Sequence, residues 1–108
     1  MRGLLTAGLI ALALPAAARP VGGPALYQAR CALCHVGYAP GVVMLEKRLG
    51  KAKSLLAERS DLQPAYVKGV VRRGLRSMPA ITRTEITDAE LDQVAAYLTR
   101  NTPAQGAP

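Results

Sequence analysis

Two thiols and an imidazole stand within five residues, Cys31-Ala32-Leu33-Cys34-His35, and they are the chain's only cysteines and its only histidine. In a C-x-x-C-H string the thiols are spaced to form thioethers with the two vinyl groups on one edge of a porphyrin. The imidazole that follows reaches the iron from one side. This chemistry predicts one covalently attached haem c, with Cys31 and Cys34 as anchors and His35 as first axial ligand. Structural zinc takes four N or S ligands, and this chain offers three. A thioredoxin-like redox pair needs a βαβ setting, and no alternation of strand and helix patterns surrounds these cysteines. A short disulfide between Cys31 and Cys34 stands as the alternative.

A second iron ligand must come from elsewhere. With His35 the only histidine, a bis-histidine iron is excluded, and the thioether candidates beyond Met1 are Met44 and Met78. Met44 sits in an apolar Val-Val-Met-Leu run and reads as a core residue. Met78 precedes Pro79, which denies the chain a helical continuation and pushes Met78 toward extended backbone. The expectation is Met78 as second metal ligand, with Met44, or a gap-filling Met78, as the alternative. An iron held by His35 and a thioether has no open position and can only change oxidation state. If Met78 is not a ligand, a catalytic or gas-binding haem is the competing expectation.

Those residues need elements to hold them. Gly23-Pro24 opens a short helix through Arg30 into the motif. Val36 to Val43, with two glycines and Pro40, reads as loop. Met44 to Leu62 suggests one or two short helical turns without a clear boundary. Pro64 starts a helix with Val67, Val70 and Val71 on one face, and Gly74 stops it. Thr87-Asp88-Ala89-Glu90 is a capping box and Ile86 with Leu91 a hydrophobic staple. Leu91, Val94, Ala95 and Leu98 then recur at helical spacing to about Arg100. No strand is required, so the fold class is all-α. With no Trp or Phe and four Tyr, the chain lacks large apolar side chains for a core of its own, and a buried porphyrin would supply that bulk.

The first residues read as an address. Arg2 is followed by an apolar run from Leu4 to Leu14, then Pro15 and Ala16-Ala17-Ala18. This predicts a signal peptide over 1–18, cut after Ala18, and export to the periplasm. A retained, uncleaved anchor is the minority alternative. The run is shorter than the roughly 20 apolar residues of a membrane-spanning helix, so no integral span is expected. Residues 19–100 form the expected domain, and 101–108 an unstructured tail.

The formal net charge is +7, and the cations concentrate between Glu46 and Arg76. The cluster Lys68, Arg72, Arg73 and Arg76 lies just before Met78. It reads either as a solvated face or as a docking patch for an acidic redox partner. An export signal disfavours nucleic acid as that partner.

The order of helix, C-x-x-C-H, proline-bearing loop, Met-Pro and a last helix ending in Ala96-Tyr97-Leu98 resembles a class I cytochrome c over residues 22 to 100. Such a resemblance implies a small all-α fold around one haem, with N- and C-terminal helices crossing at Gly23, Tyr27 and Tyr97. It likens Pro40 to the proline whose carbonyl accepts the haem histidine's Nδ1 proton. The stretch Ala65 to Ala80, with the Asp88 to Leu98 helix, is similar to the cytochrome subunits of p-cresol methylhydroxylase-type flavocytochromes, although Val43 to Leu62 is longer and richer in charge than that likeness leads one to expect. The likeness implies an electron-transfer subunit rather than an enzyme in itself. Its donor would be a flavoprotein subunit or dehydrogenase that oxidises 4-alkylphenols, and it would pass electrons to a downstream acceptor. A free cytochrome c of a respiratory chain is the alternative.

Overall fold

Among the described residues, prolines open three of the five α-helices. In the computed structural model, which describes residues 8 and 10–104, α1 spans Gly23–Arg30 with Pro24 in its first turn. The single turn α2 is Ala32–His35. Two ten-residue helices, α3 (Pro40–Leu49) and α4 (Pro64–Arg73), both begin on proline. Proline's fixed φ is preset for a helix, and its missing N–H is one that would have had no intrahelical acceptor. The last helix, α5, is Asp88–Leu98. Between α3 and α4 lie two 3₁₀ turns, Lys51–Lys53 and Leu56–Glu58. Among the described residues no strand forms, only an isolated bridge between Leu75 and Met78. The architecture is all-α, as expected.

The α5 start is fixed by its own side chains. Thr87 Oγ1 accepts from the Glu90 N–H at 3.2 Å, and the Glu90 carboxylate accepts from the Thr87 N–H at 2.8 Å. Ile86 and Leu91, the staple pair, are both buried. At its far end α4 stops at Gly74, whose φ of 75° is costly for any residue with a β-carbon.

Between the motif and α4 one expectation is corrected and one made definite, the short helical turns foreseen over 44–62 being the two 3₁₀ turns and the end of α3. The loop foreseen over 36–43 shrinks to Val36–Ala39, because Pro40 is the first residue of α3 rather than a breaker. Met44 to Leu49 then continues that helix, which Gly50 ends with φ 87°.

The main core joins α1, α4 and α5. Leu26, Tyr27, Val67, Val71, Leu91, Val94, Ala95 and Leu98 are buried in it with Leu62 and Ile86. Each fully buried Leu, Ile or Val in such a core contributes about 1.5–3 kcal/mol of transfer free energy. Where α1 crosses α5, a β-carbon on Gly23 would fall 2.6 Å from both Gln93 O and Tyr97 Cβ, so only glycine permits this approach. The Tyr27 and Tyr97 rings meet there, with centroids 5.6 Å apart and planes at 56°. By contrast α3 packs on α2 and on the Lys51–Lys53 turn, and Val42 is its only buried residue.

Residues 1–7 and 9 of the foreseen signal segment, and 105–108 of the foreseen tail, lie outside the described residues. Residues 10–20 have no regular structure, and among the described residues no helix is long and apolar enough to cross a membrane. Arg19 bridges to Glu90, with Nη2 donating to Oε2 at 2.9 Å, and Thr102 N–H donates to Thr99 O at 3.0 Å.

Candidate haem site

Cys31 occupies the joint between α1 and α2. Its own N–H still donates to Tyr27 O at 2.9 Å, while its carbonyl accepts from both Cys34 N–H (3.1 Å) and His35 N–H (3.0 Å). The motif is therefore wound into one helical turn that ends where Val36 turns extended. Cys31 is half-buried against the main core, Cys34 is exposed, and the two thiols are free rather than joined to each other. Burial, reinforced by the neighbouring Cys34, pushes the Cys31 thiol up to about 11.

His35 is gripped from two sides. The Tyr27 hydroxyl donates to the His35 carbonyl at 3.2 Å, tying α1 to the end of the motif. On the other side Gly41 of α3 lies so close that a β-carbon there would stand 2.4 Å from Cys34 O and 3.1 Å from Cε1 and Nδ1 of the His35 ring. Desolvation holds the His35 pKa below its ordinary value, which favours the neutral form that binds metals. Nδ1 is buried without a hydrogen-bond partner. The Pro40 carbonyl thus does not take the Nδ1 proton as the resemblance suggested; Pro40 is instead the first residue of α3. With the Nδ1–Cε1 edge against Gly41, Nε2 is the nitrogen left to a ligand. Sequence reasoning passed over Gly41, whose only signal is a glycine inside a helix.

Met78 is part-buried and packs against the same core that Cys31 touches, whereas Met44 on α3 is 45% exposed. The Met78 backbone is set by a tight turn in which Leu75 and Met78 exchange both hydrogen bonds at 3.0 Å. Arg76 within it takes φ 54°. Two free thiols, a neutral imidazole with an available nitrogen and a part-buried thioether form a donor set that suits a c-type haem.

Of the cations foreseen as a docking patch, two are already engaged. Lys68 pairs with Asp92 at 2.8 Å and Arg72 with Asp88 at 2.8 Å. Arg73 and Arg76 are exposed and have no ion pair among the described residues.

Residues 18–98 match the family described as cytochrome C oxidase, cbb3-type, subunit III. The chain belongs to this cytochrome c family. Membership brings haem and iron binding and electron transport. The cytochrome is 38% identical over 79 residues to the 4-cresol dehydrogenase (hydroxylating) cytochrome c subunit of Pseudomonas putida, covering 70% of this chain and 57% of that protein. It thus spans little more than half the length of that relative. Cytochrome c6 of Cyanidioschyzon merolae (strain NIES-3377 / 10D) is 36% identical over 76 residues, which cover 70% of this chain and 68% of the relative. Among solved structures, p-cresol methylhydroxylase contains a chain that superposes with a TM-score of 0.52 at 36% identity, over 72% of this cytochrome and 90% of that chain. The class I fold expected from the motif order and the likeness to the p-cresol methylhydroxylase cytochrome are both met.

Proposed function

We propose that this cytochrome is an exported, periplasmic monohaem protein that takes single electrons from a flavoprotein oxidising a small 4-alkylphenol and passes them to a further acceptor. In this reading residues 1–18 are removed as a signal peptide, Cys31 and Cys34 carry the thioethers, and His35 and Met78 are the axial ligands. The observation that carries it is the contact of Cys31 and Met78 with one common core. In this reading the Cys31 anchor and the Met78 ligand rest on the same packed side chains before any cofactor is considered.

Bound there, the haem supplies a one-electron couple. The chain's part is to hold it rigid and half-dry. Tyr27 and Gly41 fix His35 in orientation, the core beneath Cys31 excludes water, and the Leu75–Met78 turn presents the thioether. An imidazole with a soft thioether favours Fe(II) and raises the potential, which suits an acceptor. The flavoprotein donor and the phenol are supported by the likeness to the 4-cresol dehydrogenase subunit. The cytochrome c6 relative favours a second reading, a freely diffusing carrier.

Two measurements test the proposal. The mature chain, after acid-acetone extraction, should retain the mass of one haem; a bare polypeptide mass with a Cys31–Cys34 disulfide would overturn covalent attachment. The purified cytochrome should co-elute with a flavoprotein, or be reduced by one when a 4-alkylphenol is supplied. In the transient case, the reduction rate should fall steeply with salt, since such attraction is screened over about 8 Å at physiological ionic strength. Reduction by neither route leaves the free carrier.

A further inference from the structure

We propose that Arg72 is a positioning residue that clamps the far leg of the Met78 segment and so fixes the sulfur against the iron. The proposal rests on the reading that Met78 is the second ligand.

Between Gly74 and Thr87 the chain forms no helix, yet a ligand carried there must not wander. Upstream of Met78 the restraint is local. The Leu75–Met78 turn closes on itself, and the backbone of Met78 to Ala80 lies over Gly74, where a β-carbon would be 2.6 Å from Met78 O and 2.9 Å from Ala80 N. Downstream the restraint is α4. Ile81, three residues past Met78, donates its N–H to Val71 O at 2.8 Å and receives Arg72 Nη1 on its carbonyl at 3.1 Å. Successive residues of α4 thus take both backbone groups of Ile81. Arg72 Nη2 goes further, donating to Ile86 O at 3.0 Å and to Asp88 Oδ1 at 2.8 Å. One guanidinium therefore joins α4, the leg of the Met78 segment and the first residue of α5.

Its surroundings make the clamp stiff. The Arg72 side chain is 17% exposed, and the carbonyls of Ile81 and Ile86 that it satisfies are part-buried. Charge-assisted bonds of this kind are stronger than neutral ones, and losing the donor strands its acceptors. A lysine, one compact charge on a flexible stem, cannot span three acceptors as the planar fork does. Arg73, next in sequence, is exposed and makes no side-chain bond of this sort among the described residues, so it is the natural control.

The test compares Arg72→Gln, Arg72→Lys and Arg73→Gln in the full-length holoprotein. In urea, the sulfur-to-iron charge-transfer band is followed beside the helical circular dichroism, and cyanide binding to the ferric protein is timed. Arg72→Gln should lose the band at lower urea than its helices, and bind cyanide about tenfold faster, the scale of a lost hydrogen bond to a charged group. Arg72→Lys should show the same separation despite its retained charge, and Arg73→Gln should match the wild type. Coincident loss of band and helix with an unchanged cyanide rate in Arg72→Gln overturns the proposal, as does an equal effect of Arg73→Gln. If Arg72→Gln yields no folded holoprotein, Asp88→Ala, which removes one acceptor, should show a smaller separation of the same sign, and none overturns it. A wild type without the band removes Met78 as ligand, and the clamp's purpose with it.

Discussion

Gly41 of α3 touches the His35 ring so closely that a β-carbon there would sit 3.1 Å from Nδ1 and Cε1, and 2.4 Å from the carbonyl of Cys34. In an exposed helix interior, Gly→Ala gains about 1 kcal/mol. Here the nearest obstacle is backbone, which cannot swing aside, so the clash outweighs the propensity. Gly41→Ala should lower stability by about 1–3 kcal/mol, the usual cost of overpacking. Urea unfolding of the holoprotein measures the loss, and a shift of the haem spectrum should accompany it because the imidazole is displaced. A Gly41→Ala protein as stable as wild type would mean that α3 does not lean on His35.

The two available methionines differ in where they sit. Met78 packs on the core that Cys31 also touches, whereas Met44 is 45% exposed on α3. Met78→Ala should abolish the sulfur-to-iron band, lower the potential and open the ferrous iron to carbon monoxide. Met44→Ala should leave all three unchanged. The reverse pattern would reassign the ligand.

How much of this was legible depended on whether the signal was local. The α5 start is written in four consecutive residues, and the capping box at Thr87 and Glu90 forms as its pattern implies. Pro64 and Gly74 bracket α4 for the same reason. Pro40 carried the same start signal as Pro24 and Pro64, but glycines at 37 and 41 made the stretch look like loop. Gly41 is glycine because of His35, a tertiary reason that no window of sequence contains. Arg72 misled in a similar way. Its neighbours in sequence are cations, so it read as one more surface charge, whereas its acceptors lie 9, 14 and 16 residues further on. The Cys31 to His35 string and Met78 stood out as candidates because their chemistry is rare in so small a set of residues.

Glu90 ties Arg19, the first cation among the described residues, to the last helix. The Arg19 guanidinium, followed by the Thr87 N–H, holds the Glu90 carboxyl at about 2 against an ordinary 4.5. The folded state therefore binds this proton less tightly than the unfolded state. Its contribution is complete above about pH 4.5 and is lost as pH falls toward 2. Wild type and Glu90→Gln should differ in stability at pH 6, and that difference should shrink steadily below pH 4.5. Arg19→Ala should raise the Glu90 pKa by removing its largest cause. A difference that stays constant down to pH 2 would show that the carboxylate's charge plays no part.

Loss of the haem should not affect the molecule evenly. The ten residues of the main core belong to α1, α4, α5 and the segments beside them, whereas α3 buries only Val42 and rests on α2 and a 3₁₀ turn. Helices of ten residues are marginal alone and take their stability from packing. A porphyrin held by His35 would give α2 and α3 the apolar surface that the polypeptide does not. Without it, they have little to fold against. In a Cys31→Ala, Cys34→Ala chain purified without haem, amide exchange in α3 should run at close to the unfolded rate, and α5 should keep the strongest residual protection. In the holoprotein the two helices should differ far less. Equal protection of α3 and α5 in the haem-free chain would show that the polypeptide core alone organises the whole domain, and that the cofactor contributes chemistry but not structure.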